Sequence, residues 1–259
     1  MKNKKNVFYF GNKKADGNGK MKEILGGKGA GLAEMTEIGI NVPPGFTIST
    51  RVCGMFYKNK KQTPGNISKE IKANLLKLEK MTKKGFGDVK NPLLVSVRSG
   101  AMFSMPGMMD TILNLGLNDK TVVGLAKKTK NPRFAWDAYR RFIQMFSDVV
   151  LNVDKDLFEE KLEELKKKKK VIHDIELSES SLKSLVQEYK KLVKSKTKKS
   201  FPQDPVDQLA KAINAVFLSW NNKRAIFYRK KYGIPADIGT AVTVQSMVFG
   251  NMGEDCATG

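Results

Sequence analysis

The sequence of 259 residues predicts an α+β protein in which short strands lie near both ends of the chain and helices fill the middle. Three observations support this prediction. A glycine-rich segment that turns into a helical pattern separates two strand-like runs in residues 7–49, residues 120–200 carry three apolar stripes at helical spacing, and AVTVQSMVFG (residues 241–250) alternates as a strand does. Residues 120–200 are therefore predicted to be a helical insertion between strands.

The opening segment predicts a strand, a helix and a second strand. Residues 7–10 (VFYF) form a short apolar and aromatic run that ends at a glycine. LGGKGAGLAEM (residues 25–35) follows, and the apolar residues Leu32, Met35 and Ile38 predict a helix that begins at the glycines. NVPPG (residues 41–45) ends this pattern because proline lacks a backbone donor, and residues 46–49 are the predicted second strand.

The next segment predicts a helix, a strand and a loop. Apolar residues at helical spacing in residues 66–81 predict the helix, whose buried face consists of Ile67, Ile71, Leu75 and Leu78. PLLVSVRSG (residues 92–100) alternates, so an apolar strand delivers Arg98 to its C-terminal end. SGAMFSMPGMMDT (residues 99–111) follows neither the helical nor the strand periodicity and is predicted to be a loop.

Further helices and a last strand complete the pattern. The stripes of the insertion fall in residues 134–150, 157–165 and 182–193, and a fourth helix is predicted at residues 206–220. The final strand is predicted to place Val242, Val244, Ser246 and Val248 on one face.

The composition favours a folded protein that acts away from membranes. With 41% apolar residues, no apolar run long enough to span a bilayer and no secretory signal, we expect a cytoplasmic protein. The formal net charge of +21 raises nucleic-acid binding as a competing interpretation. The charge is spread, however, because even residues 155–199 contain 14 Lys against 9 Asp and Glu, a balance typical of solvated helix faces.

Lys28 and Arg98 are the two residues whose surroundings favour an anion. A Walker loop is excluded because Gly29, and not Ser or Thr, follows Lys28. Glycines before a helix nevertheless expose backbone N–H groups at a positive helix N-terminus, and Lys28 adds a full charge. Arg98 ends an apolar strand and needs an anion or a buried acidic partner. A purely steric glycine turn and a buried ion pair of Arg98 remain the alternatives.

The other reactive side chains form no complete catalytic or metal site in the sequence. His173, the only histidine, lacks partners at metal spacing and is predicted to lie on the surface. Cys53 and Cys256 are expected to be reduced, since no export signal accompanies them. The methionines of residues 99–111 are typical of core filling, with an adenine slot as the alternative. No metal ligand is predicted within the chain.

Four segments, taken in order, resemble a known family. They are LGGKGAGLAEM (25–35), SVRSGAMFSMPGMMDTILNLGLND (96–119), NPRFAWDAYRRFIQMFSDVV (131–150) and GTAVTVQSMVFGNMGEDCATG (239–259). Together they resemble the nucleotide-binding portion of the pyruvate phosphate dikinases, over nearly the whole chain. Phosphoenolpyruvate synthases share the lysine-glycine opening and the V-R-S element, whereas SMPGMMDTILNLGLN is specific to the dikinases.

The resemblance implies the N-terminal lobe of an ATP-grasp fold, a small mixed sheet flanked by helices, with ATP held between two lobes. It divides the chain into residues 1–118 as the first part of the lobe, 119–200 as the helical insertion and 201–259 as the return to the lobe. By position, Lys28 and Arg98 correspond to the family's catalytic, phosphate-binding cations. The implied nucleotide-binding residues are Gly26, Gly27, Lys28, Gly29, Arg98, Met109, Gln245, Met247 and Val248.

The family interconverts ATP, phosphate and pyruvate with AMP, pyrophosphate and phosphoenolpyruvate through a phosphohistidine. The resemblance implies that the second lobe with its Mg²⁺ ligands, the phosphohistidine domain and the pyruvate-binding domain lie outside this chain. It also implies that the chain is inactive alone and that the full-length protein is a homodimer. GEDCATG (253–259) corresponds to the glycine-rich phosphate loop. A stand-alone nucleotide-binding or partner-binding module is the alternative function.

Overall fold

The computed structural model describes residues 5–253 and 256, and the chain divides into two compact units. The sheet unit consists of Met1–Lys84, Val95–Thr111 and Leu209–Met247, and the helical unit of Gly85–Leu94, Ile112–Gln208 and Val248–Gly259. The α+β composition is confirmed, whereas the three-part division at residues 118 and 200 stays a prediction.

Short strands and longer helices make up the described residues. The strands are β1 (Val7–Gly11), β2 (Lys14–Ala15), β3 (Gly45–Ile48), β4 (Val95–Gly100), β5 (Thr111–Leu115) and β6 (Ala241–Ser246). The α-helices are α1 (Lys22–Glu37), α2 (Thr50–Lys58), α3 (Gly65–Thr82), α4 (Thr121–Thr129), α5 (Pro132–Leu151), α6 (Asp156–Lys169), α7 (Glu179–Thr197), α8 (Pro205–Ser219) and α9 (Lys223–Lys231), and Asp174–Glu176 form a 3-10 turn. The predicted helices appear as α1, α3, α5, α6, α7 and α8. The nine-residue helices α2, α4 and α9 were missed, since short elements carry little periodicity.

The strands of the sheet unit pair in the order β2, β1, β3, β6, β4. All four pairings between these strands are antiparallel, so the expected mixed sheet is wrong for this part of the fold. The reason lies in the position of β6. Strands β3 and β4 run in the same direction and would pair in parallel if they were neighbours, but β6 lies between them and is antiparallel to both. The last strand in the sequence is therefore an interior strand of the sheet.

The two faces of this sheet differ in chemistry. Cross-strand register places Phe46, Val97 and Val244 on one face and Thr47, Arg98 and Thr243 on the other. The three apolar residues are fully buried and belong to the core. On the polar face, the hydroxyl oxygens of Thr47 and Thr243 lie 3.4 Å apart, and both threonines are buried. A buried polar face can orient a charged side chain such as that of Arg98.

Strand β6 is shorter than its alternating sequence predicts. Val242 and Val244 are buried as predicted, but the strand ends at Ser246. Val248 lies beyond it with 60% of its surface exposed, so its predicted place on the strand face is wrong. Both faces of β6 are covered along most of its length. Alternation alone therefore could not identify its end.

Helix α1 packs through small residues rather than through its predicted apolar stripe. Met35 and Ile38 are 36% and 70% exposed, and the buried positions are Leu25, Gly26, Gly29, Ala30, Ala33 and Thr36. A Cβ added to Gly29 would lie 2.9 Å from the side chain of Thr47, so the helix approaches the polar face of the sheet too closely for larger residues. The predicted stripe is wrong because close packing selects small side chains here.

In the helical unit, a buried arginine joins α5 to the segment before α7. Arg140, 3% exposed, contacts Asp137 at 2.6 Å and Asp174 at 2.9 Å through Nη2. Arg141 contacts the second oxygen of Asp137 at 3.0 Å, but its side chain is 55% exposed. Because Arg140 and Asp137 are both buried, removing one charge leaves the other poorly compensated.

The Arg140→Met substitution is expected to destabilise the protein by about 3 kcal/mol, because it removes the buried partner of the Asp137 carboxylate, leaves the exposed Arg141 beside it, and takes one of two cations from Asp174. Arg141→Met, which removes an exposed arginine from the same carboxylate, is the matched control and should cost less than about 1 kcal/mol. Urea unfolding followed by circular dichroism measures both. Equal losses in the two variants would contradict a special role for the buried pair.

Candidate functional site

A kink in α1 brings the lysine-glycine segment against the end of β4. Gly26 has φ 68° and ψ 171°, a conformation that is essentially restricted to glycine, within an otherwise helical segment. A Cβ at this position would lie 1.7 Å from the carbonyl oxygen of Gly100. The next N–H group, that of Gly27, donates to the carbonyl of Ala101 at 2.9 Å. The glycines therefore allow two backbone segments to touch.

Lys28 follows this contact and lies beside Gly100. A Cβ added to Gly100 would lie 3.8 Å from Cβ of Lys28. The pKa of Lys28 is lowered, first because the surrounding protein displaces water from the ammonium group and second because Arg98 repels it. The Lys28 residue as a whole is exposed. Its ammonium group nevertheless lies near the positive guanidinium group of Arg98. An anion that contacts both groups would relieve this repulsion.

Arg98 is half-buried on the polar face of the sheet, and its guanidinium group is only partly satisfied. Nη2 donates to Oε1 of Gln245, whose Nε2 in turn donates to the carbonyl of Pro43 at 2.9 Å. The Nε atom of Arg98 is buried and has no hydrogen-bond partner among the described residues. Burial lowers the pKa of Arg98 by disfavouring its charged form. Within the part of the chain that the structure describes, neither Arg98 nor Lys28 forms an ion pair.

A cleft opens next to these cations. Its volume is about 570 Å³, and it is lined by Gly27 and Lys28, by Ser99 and Gly100 at the end of β4, by residues 101–107 of the following loop, and by Met109 and Thr111. Arg98 does not itself line the cleft, but it directly precedes the lining residue Ser99 on β4. Two side chains of the α9 region hold the loop: Asn222 donates to the carbonyl of Met108 at 3.0 Å, and Tyr228 to that of Ser104 at 3.4 Å. The cleft thus combines a cationic end with an apolar, methionine-containing wall.

The predicted nucleotide-binding residues are only partly brought together. Lys28, Gly27 and Met109 line the cleft, and Gly29 is buried against Thr47 on the sheet. Gln245 is 6% exposed, with both ends of its amide bonded within the protein. Met247 is half-buried just after β6. Val248 belongs to the helical unit.

The described residues contain no group of three or more His, Cys, Asp or Glu side chains that could hold a metal ion. Most of the predicted phosphate loop GEDCATG lies outside them, since only Gly253 and Cys256 of that loop are described. Both cysteines are free, and no described helix is long and apolar enough to cross a membrane.

The model of one protein family matches almost the entire chain. The family is described as pyruvate phosphate dikinase, AMP/ATP-binding domain, and the matched residues are 22–64 and 60–259. The chain belongs to this family.

Individual members of the dikinase family agree with this assignment. Pyruvate, phosphate dikinase of Clostridium symbiosum is 54% identical over 245 residues, which cover 94% of this chain and 28% of the relative. The protein of the same name from Entamoeba histolytica is 54% identical over 246 residues, with the same coverage. The chloroplastic pyruvate, phosphate dikinase of Flaveria trinervia is 51% identical over 256 residues, 99% of this chain and 27% of the relative. The chain spans little more than a quarter of the length of these relatives.

In this pyruvate phosphate dikinase domain, sequence reasoning missed the residues that support the cations. It did not place Pro43 beside Gln245, Gly100 beside Gly26, or Tyr228 beside the loop. The glycine that follows V-R-S was a signal for a close backbone approach, but it did not identify the partner. The other two contacts depend on strand register and on helix docking, which local patterns do not encode.

Proposed function

We propose that this chain is the nucleotide-binding part of a pyruvate phosphate dikinase and that Lys28 and Arg98 bind the phosphate groups of ATP. The observation that carries the proposal is the state of Arg98: among the described residues, its buried Nε has no hydrogen-bond partner and no carboxylate neutralises its charge. A guanidinium group offers donors that match phosphate oxygens. Lys28, exposed beside it at the cleft, adds the second positive charge.

The other predicted contacts follow from the shape of the cleft. Met109 lines its wall and offers an apolar, polarisable surface for a purine ring. Gly26 and Gly29 act through the backbone, because they let α1 approach Gly100 and the sheet without a side chain in the way. Gly27 also acts through the backbone, since its N–H donates to the carbonyl of Ala101. Contacts from Gln245, Met247 and Val248 to the nucleotide stay predictions.

The activity of the complete protein follows from the family. We propose that it interconverts ATP, phosphate and pyruvate with AMP, pyrophosphate and phosphoenolpyruvate, through a phosphohistidine that this chain does not supply. Phosphoryl transfer relies on positioning and on compensation of charge, which are the tasks that Lys28 and Arg98 can perform. Mg²⁺ ligands, the phosphohistidine domain and the pyruvate-binding domain are expected outside this chain. A homodimer and a cytoplasmic location also stay predictions.

Titration with MgATP, followed by backbone amide NMR, tests nucleotide binding. We expect shifts to concentrate at residues 26–29 and 98–109, because these residues line the cleft or adjoin residues that line it. Lys28→Ala should weaken binding about tenfold or more, since it removes a charge next to phosphate. Lys22→Ala, which removes an exposed lysine from the first turn of the same helix, is the matched control and should leave the affinity unchanged. Equal binding by Lys28→Ala, or shifts spread over distant lysines, would refute the proposed phosphate site.

A further inference from the structure

Gln245 has an unusual position for a neutral side chain. It is 6% exposed, and its Oε1 accepts a hydrogen bond from Nη2 of Arg98. Its Nε2 donates to the carbonyl of Pro43 at 2.9 Å. The Pro43 carbonyl can only accept, and the guanidinium group can only donate, so both neighbours fix the same orientation of the amide. The Gln245 side chain therefore bridges a fixed backbone atom and the guanidinium group of Arg98.

The register of the sheet makes this bridge possible. Ser96 on β4 pairs with Gln245 on β6, and Arg98 pairs with Thr243. Arg98 and Gln245 are thus diagonal neighbours on one face, a spacing that two long side chains can span. On its other side, Gln245 pairs with Gly45 of β3, next to Pro44 and Pro43. Gln245 therefore connects Arg98 to the segment that leads into β3.

The charge of the side chain at position 245 determines how much positive charge Arg98 can offer to an anion. A buried carboxylate at position 245 would pair with Arg98 and cancel much of its charge. An amide oxygen accepts the same hydrogen bond but carries no net charge, so the guanidinium group is held in place and stays fully positive. Gln245 bonds to Nη2 and not to Nε, and the buried Nε has no partner among the residues that the structure describes. Gln245 therefore fixes the orientation of the Arg98 guanidinium group and leaves its positive charge uncompensated.

We propose that Gln245 is a positioning residue that aims the guanidinium group of Arg98 at phosphate without neutralising it. The proposal rests on the proposed function, because it assumes that Arg98 binds an anion. In this role the Gln245 side chain acts through Arg98, whereas the family resemblance implies direct contact with the nucleotide. The neutral amide determines that an incoming anion, and not the protein, compensates the charge of Arg98.

The first measurement tests the bridge without nucleotide. Rotation of the Arg98 Nη2 group is followed by NMR in the free protein, and its signal is assigned by its loss in Arg98→Lys. Gln245→Met, which keeps the length of the side chain but removes the acceptor, is expected to speed this rotation, and Gln245→Glu to keep it slow. Unchanged rotation in Gln245→Met would overturn the positioning role, whether or not the protein binds ATP.

The second measurement tests whether the side chain at position 245 must be neutral. Gln245→Glu keeps the acceptor for Arg98 but loses the donor to the Pro43 carbonyl. It is expected to weaken MgATP binding about tenfold or more, since a carboxylate in contact with Arg98 opposes phosphate. Gln187→Glu adds the same charge at an exposed position of α7 and should leave the affinity unchanged. Wild-type affinity in Gln245→Glu would overturn the proposal. If the unmodified chain shows no response to MgATP, the proposed function fails, and the rotation measurement still decides the bridge.

Discussion

The Arg98→Ala substitution, made in the full-length enzyme to which we assign this chain, is expected to slow formation of the phosphoenzyme about a hundredfold. The transition state of phosphoryl transfer spreads negative charge over the phosphoryl oxygens, so a cation held in place contributes more than a mobile one. Arg98 is held by Gln245 and is half-buried, and its Nε has no hydrogen-bond partner in the part of the chain that the structure describes. Removing it deletes a guanidinium group next to the cleft that Gln245 orients and that no described carboxylate neutralises.

Single-turnover formation of phosphoenzyme from ATP measures this effect, because it separates the transfer step from product release. Arg141→Ala is the control, since Arg141 lies on α5 in the helical unit with its side chain 55% exposed. The control should turn over at the unmodified rate. An unchanged rate in Arg98→Ala would contradict the assigned role, because the proposal gives Arg98 no other task.

The two cations are expected to contribute differently. Lys28 is an exposed ammonium group on a flexible side chain, and its lowered pKa reflects partial desolvation and repulsion from Arg98. Phosphate next to Lys28 would favour its charged form and raise that pKa again. Arg98 stays charged under all ordinary conditions, even though burial lowers its pKa. Lys28 is therefore suited to attract and hold phosphate, and Arg98 to fix its orientation.

The sequence predicted those elements whose burial follows a repeating pattern. In α3 the residues Ile67, Ile71, Leu75 and Leu78 are all buried as predicted, because this helix packs with a single apolar stripe. Helix α1 did not follow this rule, since its contact face consists of glycine, alanine and threonine. The order of strands was not predictable from local patterns either. Strand β6 pairs with β3 and β4, which are far from it in sequence. The sheet is antiparallel because β6 lies between these two strands.

The candidate site was predictable in its charges but not in its geometry. A lysine after glycines and an arginine at the end of an apolar strand indicated an anion. In the structure, desolvation and, second, repulsion from Arg98 lower the pKa of Lys28. The bond between Arg98 and Gln245 follows from the register of β4 and β6, which the local sequence does not specify. Of the alternatives for Arg98, an ion pair is absent among the described residues. The sequence did not predict that Arg98 bonds to the neutral side chain of Gln245.

The Gly26→Ala substitution is expected to destabilise the protein by at least about 3 kcal/mol, through backbone strain and a direct clash. Alanine is strongly disfavoured at φ 68° and ψ 171°, and its Cβ would lie 1.7 Å from the carbonyl oxygen of Gly100. Relief requires α1 and the end of β4 to separate. That movement would also break the hydrogen bond from Gly27 to Ala101 and displace Lys28 from Arg98.

Gly31→Ala provides the matched control in the same helix. A Cβ at Gly31 would meet no atom of the described residues within 4 Å, so alanine should stabilise the helix by about 0.5–1 kcal/mol. Urea unfolding followed by circular dichroism should therefore move the two midpoints in opposite directions. If Gly26→Ala were as stable as Gly31→Ala, the kink would be a flexible turn without a fixed partner. A large loss at Gly26 alone would mean that glycine at this position is required for the close approach that brings Lys28 beside Arg98.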